Sequence, residues 1–503
     1  MTTKKTLLVA SVAAGTALAL AACSSGPSTT EASGGTADTS ATVNVGLYLE
    51  PTDLNVRTTS GVALDQVLID NVYQGLVGID SSGKIQDVLA KSHTVSSDGL
   101  TYDFTLNAGT VFSNGDALDA GDVVWSLNQV KNTKTDVGNA AFAAVKTVSA
   151  PSDDTVELTL SKPDSTLLYS LAGRAGLILD QDATNDLKTT AIGSGPYLLK
   201  TWKQGDSITL TRNAKYWGTK AKVASVVFHY FSDRAAAVNG ALAGDIQVLT
   251  TVDPTLQAKF TGNADFALKK GTSTDKYTLV FNSKKAPLDT LAVRQALREA
   301  IDPKAIIAAV GGNGVAQGGP IPEGDPGYED LTSIDAYDVA DAKAKISAAG
   351  LTGSALTLTL PNVYGTTVTD VLTSQFKAIG ITLKVDSVDF TTWLTKVYTN
   401  KDYELSIVDH AEAHDFANWV TPGYYFNYSN PKVNALYTQA QGALTDADAD
   451  AKLAEAAKLV AQDAPADWLY TAVNVTAIRS TVTGFPTDST SNRLNLTGLA
   501  VSK

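Results

Sequence analysis

Along the chain, short runs in which apolar and polar side chains alternate are interleaved with longer runs in which apolar residues recur every three or four positions. In "TVNVGLYL" (42–49) the side chains of Val43, Val45, Leu47 and Leu49 fall on one side with a period of two, the pattern of a strand with one buried face. The stretch "HTVSSDGLTYDFTL" (93–106) sets Asp98 and Gly99 between two such runs, the second carrying Leu100, Tyr102, Phe104 and Leu106, and so predicts a hairpin. Further strands are expected at "TVELTL" (155–160) and "ITLTRN" (208–213). Helical spacing occurs in "VRQALREAIDPKAIIAAV" (293–310), where Val293, Leu297, Ala300, Ile301 and Ile307 share a side and Pro303 interrupts the run. A second helix is expected over "DADAKLAEAAKLVAQD" (448–463), with Leu453, Ala457 and Val460 facing inward. Strand and helix signals alternate, so the fold class is mixed α/β.

The N-terminus follows a different pattern. Lys4 and Lys5 precede the apolar run "TLLVASVAAGTALAL", which has the plan of a secretory signal and is short for a membrane span. It ends in "LAAC", Leu20 to Cys23, which resembles a lipoprotein lipobox; that resemblance implies cleavage after residue 22 and a diacylglyceryl thioether on Cys23. Such a chain would sit outside the cytoplasm, held at the outer face of the cytoplasmic membrane by its lipid. Residues 23–40, rich in Ser, Thr, Gly and Ala, read as a flexible tether.

Loss of residues 1–22, with Lys4 and Lys5, would leave 37 basic against 52 acidic side chains, a formal charge of −15. That balance argues against a nucleic-acid partner and against adhesion to anionic lipid, and it favours a monomer. Cys23 is the only cysteine, which excludes a disulfide framework and a thiolate metal cluster. The chain of 503 residues is too long for one ordinary core, so two or three lobes are expected.

Catalytic signatures are missing from the sequence. There is no G-x-S-x-G elbow and no G-x-x-x-x-G-K-[ST] loop, "GNGVAQ" (312–317) fails the dinucleotide pattern at its last position, and four histidines are few for acid–base chemistry. The densest chemistry lies in "DHAEAHDFANW" (409–419). On an extended segment His410, Glu412 and His414 share a face and could converge on a metal. The same residues could act as acids and bases, given a positioned nucleophile that the chain does not display. They could also form the wall that recognises an organic ligand, which is the reading adopted, with neither a resident metal nor a cofactor.

Five stretches, in order, resemble the family 5 solute-binding proteins, the peptide and dipeptide receptors of ABC importers. They are "NVYQGLVGIDSSGKIQDVLAKSHTVSSDGLTYDFTLNAGTVFSNGDALDAGDVVWSL", "GSGPYLLKTWKQGDSITLTRNAKYWG", "RAAAVNGALAGDIQVL", "LVFNSKKAPLDTLAVRQALREAIDPKAI" and "FNYSNPKVNALYTQA". The resemblance implies a two-lobe type II periplasmic-binding-protein fold of cluster C. Its first lobe would combine residues 41–85, 190–272 and 471–503, with a subdomain inserted at 86–189 and a second lobe at 275–470. The chain would then cross between lobes near "KKGTSTDKY" and "APADWLY", with Gly271, Thr272 and Ser273 as hinge residues.

The same resemblance implies that a short peptide is captured by hinge closure and delivered to an ABC permease. In peptide receptors of the family an aromatic residue and, three residues later, an Asp follow a strand; here, after "YELSIV", these slots hold His410 and Ala413. Glu412 and Asp415 flank the empty acidic slot, and either could meet the ligand's ammonium. His414, Trp419, Phe390 from "VDFTTWL", and Thr58 and Thr59 from "VRTTSG" complete the candidate ligand-binding set. Trp393, Trp125 and Trp202 read as structural. Other readings consistent with the sequence are a receptor for a nickel chelate or another small solute, a surface sensor without transport, and a metal-dependent hydrolase built on His410 and His414.

Overall fold

A computed structural model describes residues 37–59, 61–80, 82–488 and 493–503. The signal segment, Cys23 and the tether up to residue 36 lie outside the described residues. Residues within the stretch expected as tether join the fold: Ala37 forms a bridge to Ser502 and the Asp38 N–H donates to the Val501 carbonyl at 2.7 Å. Among the described residues no helix is long and apolar enough to cross a membrane.

Two sheets dominate. The first has seven strands in the order 266–271, 474–479, 248–249, 42–47, 225–230, 207–212 and 197–203. Strand Thr42–Leu47 lies inside it, parallel to both neighbours. Its alternation is real as far as Leu47, with Val43, Val45 and Leu47 buried in the lobe's core. Leu49, expected to continue the buried face, is exposed, because the strand has already ended.

The second sheet has six strands in the order 314–315, 466–472, 276–281, 405–410, 355–361 and 382–388. Helices Leu291–Glu299 and Pro303–Ala309 pack beside it, and the break between them falls where Pro303 takes the first helical position, a place where its missing N–H costs nothing. Helix Asp446–Asp463 buries Ala457 and Val460 against an aromatic core that also holds Trp419, Phe426 and Trp468. A four-stranded antiparallel sheet, 90–95, 101–106, 155–160 and 145–152, forms a third core. The hairpin at its edge turns through Gly99, whose φ of 68° suits a residue without a Cβ.

The chain passes between the two large sheets twice. One passage runs from Gly271 to Lys276; the other is Val473 alone, between strands 466–472 and 474–479. Thr471 and Ala472 still pair with Val315 and Gly314 in the six-stranded sheet, so the second passage lies beyond the "APADWLY" stretch from which it was expected. The passages are tied together: Ser273 Oγ donates to the Ala472 carbonyl at 2.8 Å, and the Ala472 N–H donates to the Asp275 carbonyl at 2.9 Å.

Candidate functional site

Strand Leu405–His410 leads into the segment with the densest chemistry. It pairs with strand Lys276–Phe281 so that His410 stands opposite Lys276 and Asp409 opposite Tyr277. Successive side chains of a strand point to opposite faces, and the two neighbours therefore part company. Asp409 and Ala411 face a cleft of about 310 Å³ shared by both sheets. His410 turns into the aromatic core, with Nε2 2.9 Å from the Tyr425 hydroxyl and its ring edge-on to Phe426.

Lys276 is almost fully buried, at 2 % exposure, and organises the turn after this strand. Its ammonium donates to the carbonyls of Thr274 at 3.0 Å and Glu412 at 2.8 Å and stands 3.3 Å from the Asp415 carboxylate. Burial and the nearby ammonium push His410 down to about 3, so its imidazole is neutral. Burial raises Asp415 to about 6, against the opposing pull of Lys276. His414 adopts a left-handed conformation, φ 55°, held by its N–H donating to Asp325 at 2.8 Å and by its ring stacking on Tyr169, centroids 3.6 Å apart.

These contacts decide which side chains converge. The ligating atoms of His410, Glu412 and Asp415 lie within 4.8 Å of one another, whereas His414, the third member of the face expected from sequence, belongs to the contact with Tyr169. The sequence spacing assumed an extended segment, but the chain leaves the strand at His410 and bends through left-handed His414. A cation already serves the converged group: a metal would have to displace the Lys276 ammonium from Asp415 and the Tyr425 hydroxyl from Nε2.

The 310 Å³ cleft carries a cation on one side and two carboxyls on the other, with a further carboxylate, Asp488, held by Thr272 beside the passage between the sheets. From the seven-stranded lobe Arg234 enters, its guanidinium carbon 4.5 Å above the ring of Tyr48. From the six-stranded lobe come Asp275 and Asp409, with Tyr277 between them, stacked on Tyr470 at 4.6 Å. Asp409 Oδ1 is buried and, among the described residues, has no hydrogen-bond partner. Desolvation raises both carboxyls, and the negative charges of Asp275 on Asp409 and of Glu412 on both raise them further, against the pull of Lys276. Thr250, Asn474 and Thr476 add hydroxyl and amide groups to the wall.

A second cavity, about 570 Å³, lies between the four-stranded subdomain and the six-stranded lobe and has no lining residue in common with the cleft. His414 and Asp415 line it, opposite Tyr169.

The other sequence candidates stand elsewhere. Trp419 is a core residue, stacked on Phe426 at 4.1 Å and packed against Trp468, which leaves little of it to form a wall. Phe390 is half exposed and stacks on buried Trp393. Thr59 is buried with its hydroxyl turned to Asp53, and its carbonyl accepts from Arg174; Thr58 and Glu412 are exposed. None of these lines either cavity, and nor does His410. Sequence reasoning missed Lys276, Arg234, Asp275 and Asp409. The signal for Lys276 was present as a single cation heading the apolar run "KYTLVF", and that for Asp409 as the alternate face of the same strand as His410.

Comparison with known proteins agrees with this architecture. The family described as bacterial extracellular solute-binding proteins, family 5 middle, matches residues 84–461. The glutathione-binding protein GsiB of Pectobacterium atrosepticum is 28 % identical over 472 residues, 87 % of this chain and 89 % of that protein. The ABC transporter substrate-binding protein CtaP of Listeria monocytogenes superposes with a TM-score of 0.84 at 23 % identity, over 93 % of this chain and all (100 %) of that one. The oligopeptide-binding protein AppA of Bacillus subtilis, solved with a nonapeptide, gives 0.77 at 21 % identity, with coverage of 93 % and 100 %. The chain belongs to the family 5 solute-binding proteins of ABC importers, and its fold is the two-lobe type II binding-protein fold.

Proposed function

We propose that this chain captures a short peptide in the 310 Å³ cleft and, once closed, presents it to the permease of an ABC importer. The observation that carries the reading is the placement of the Arg234 guanidinium on one lobe and of the Asp275 and Asp409 carboxyls on the other, while Asp488, also on the lining, is engaged by Thr272. A zwitterion with its carboxylate at Arg234 and its ammonium at Asp409 touches both lobes at once. Such a ligand favours closure by its differential affinity for the closed form, and no bond in it need change. The cleft lies at the small end of the usual range for ligand pockets, about 300–1,000 Å³, which suits a short peptide. That GsiB is named for binding glutathione, itself a short peptide, supports the class.

Calorimetry with glutathione and a panel of dipeptides and tripeptides tests this. Saturable binding by at least one of them, weakened about tenfold or more in Asp409→Asn and in Arg234→Ala, is expected. Binding that ignores both substitutions would overturn the assignment of the cleft.

In this reading Cys23 carries the lipid that keeps the receptor beside its permease, and the protein works as a monomer outside the cytoplasm. Cys23→Ser should move the protein from the membrane fraction to the medium or periplasm. The meeting of His410, Glu412 and Asp415 favours a second reading, a metal chelate as cargo. Elemental analysis and nickel titration of the purified protein distinguish the two, since stoichiometric metal lost on Asp415→Asn would support the chelate.

A further inference from the structure

The 570 Å³ cavity between the four-stranded subdomain and the six-stranded lobe has no part in the reading above. One wall comes from Ile85, Leu168 and Tyr169, the other from Phe416, Tyr437 and the first turns of helix Asp446–Asp463. Its size falls inside the range of small-molecule sites, about 300–1,000 Å³. Beside it the two bodies are held together, with the Ser165 N–H donating to the Gln441 carbonyl at 2.9 Å and Ser165 Oγ to the Ala440 carbonyl at 2.9 Å. The stacked rings of Tyr169 and His414 add a flat aromatic surface, and His414 holds that place in a left-handed conformation that few residues other than glycine adopt.

The polar groups on the lining are unbalanced. Lys84 is the one ammonium among the described lining residues, against carboxylates at Asp325, Asp415, Asp446 and Asp450. Asp325 is engaged with the His414 N–H and Asp415 with Lys276. Asp446 and Asp450 stand one helical turn apart on the same lining, and no side-chain hydrogen bond or ion pair is found for either among the described residues. Two like charges at that spacing repel, and Asp450 is half-buried, with its pKa raised by desolvation and then by Asp446. Asp446 is exposed and opens the helix, whose N-terminal dipole offsets part of this repulsion; a positive guest in the cavity would relieve the rest.

We propose that this cavity is a second ligand site, separate from the interlobe cleft, and that it takes an amphipathic organic monocation. The ammonium lies at Asp446 and Asp450, and the apolar body lies along Ile85, Leu168, Phe416 and Tyr437. Because its walls come from two bodies, a guest there also braces the subdomain against the six-stranded lobe.

Phenethylamine is a suitable probe, with phenylacetate and 2-phenylethanol as its anionic and neutral counterparts, each titrated by calorimetry into the full mature protein. The amine should bind at millimolar concentration or below, and the acid should not. Asp450→Asn, a conservative change at a half-buried helix position, should weaken the amine at least about fivefold. Ala449→Leu, which fills the cavity from a buried lining position, should abolish its binding while the thermal melt stays cooperative. Equal binding of amine, acid and alcohol would overturn the proposal, as would an amine titration that ignores Asp450→Asn. Loss of amine binding in Asp409→Asn, with Asp450→Asn unaffected, would place the amine in the interlobe cleft and equally refute the second site. Failure of every peptide to bind would touch the proposed function alone.

Discussion

Lys276 heads a strand whose remaining side chains are mostly buried and apolar, and its ammonium is held by two carbonyls and one carboxylate. Lys276→Met leaves Asp415 buried without its counter-charge, a loss that costs about 3–5 kcal/mol when the orphaned group stays ionised. Asp415 can escape by taking a proton, so the destabilisation should be large at pH 8 and shrink toward pH 5. Urea unfolding of the variant at the two pH values measures this, and Asp415→Asn in the same background should recover most of the loss. Equal destabilisation at both values would mean that the pair contributes by packing instead of charge.

The wild-type protein has its own pH dependence. Asp415 is raised to about 6, and Asp275 and Asp409 are raised as well, each mainly by desolvation. A carboxyl whose folded pKa exceeds its unfolded value, about 4, contributes stability below that value and loses it as pH rises through the folded pKa. Aspartates lowered by Ser or Thr hydroxyls, such as Asp80, Asp98 and Asp389, act in the opposite sense only as pH falls through about 4. These carboxyls therefore make the ligand-free protein more stable at pH 5 than at pH 7.5, a slope reduced by His229, His410 and His414, whose pKa values burial lowers and whose protonation the fold resists over the same window. Affinity for an ammonium-bearing ligand should run the other way, because the ammonium prefers the ionised form of Asp409. Thermal melts and calorimetry across this window check both slopes, and parallel trends would exclude these carboxyls as the anchor.

At the scale of elements, the passage between sheets is the sensitive part. Gly271 ends strand Phe266–Gly271, and a Cβ there would run into the carbonyl oxygen of Thr487. Beside it Thr272 donates from both N–H and hydroxyl to Asp488, at 2.8 and 2.9 Å. Thr487 and Asp488 line the interlobe cleft, so crowding at the passage moves its wall. Gly271→Ala should weaken peptide binding by about 1 kcal/mol, roughly fivefold. Ser283→Ala, just beyond the far end of strand Lys276–Phe281 and away from the cleft lining, should leave it unchanged. Calorimetry on the two variants makes the comparison, and unchanged affinity in Gly271→Ala would show that the Thr487 segment takes no part in binding.

Much of this element structure was legible in the sequence, because one buried face imposes its period directly on Val43, Val45 and Leu47, or on Tyr102, Phe104 and Leu106. The site was less so. Period two correctly separates Asp409 from His410, but it does not say which face meets the cleft and which meets the core, and the histidine drew attention to the face that meets the core. The bend after His410 depends on Lys276 and Asp325, which are 134 and 89 positions from their partners His410 and His414 along the chain and carry no local signal. Arg234 was hidden for the same reason. Its role comes from Tyr48 and from the opposing lobe, neither of which is its neighbour in sequence.

For the whole molecule, what matters is that the charges proposed to capture the ligand, Arg234 and Asp409, stand on two bodies joined by two short passages. To move an open-to-closed ratio from 1:99 to 99:1 a ligand must favour the closed form by about 5.5 kcal/mol. One charge-assisted contact supplies about 1.5–3 kcal/mol, so neither Arg234 nor Asp409 suffices alone, and the two together with aromatic burial can. A peptide should therefore reduce the radius of gyration of the wild-type protein in small-angle scattering. Arg234→Ala and Asp409→Asn should each still bind it weakly, through the lobe left intact, but at saturation should show little of the compaction. If either variant compacts fully once saturated, closure draws its energy from contacts other than this pair of charges, and the interlobe cleft would have to be assigned a different ligand chemistry.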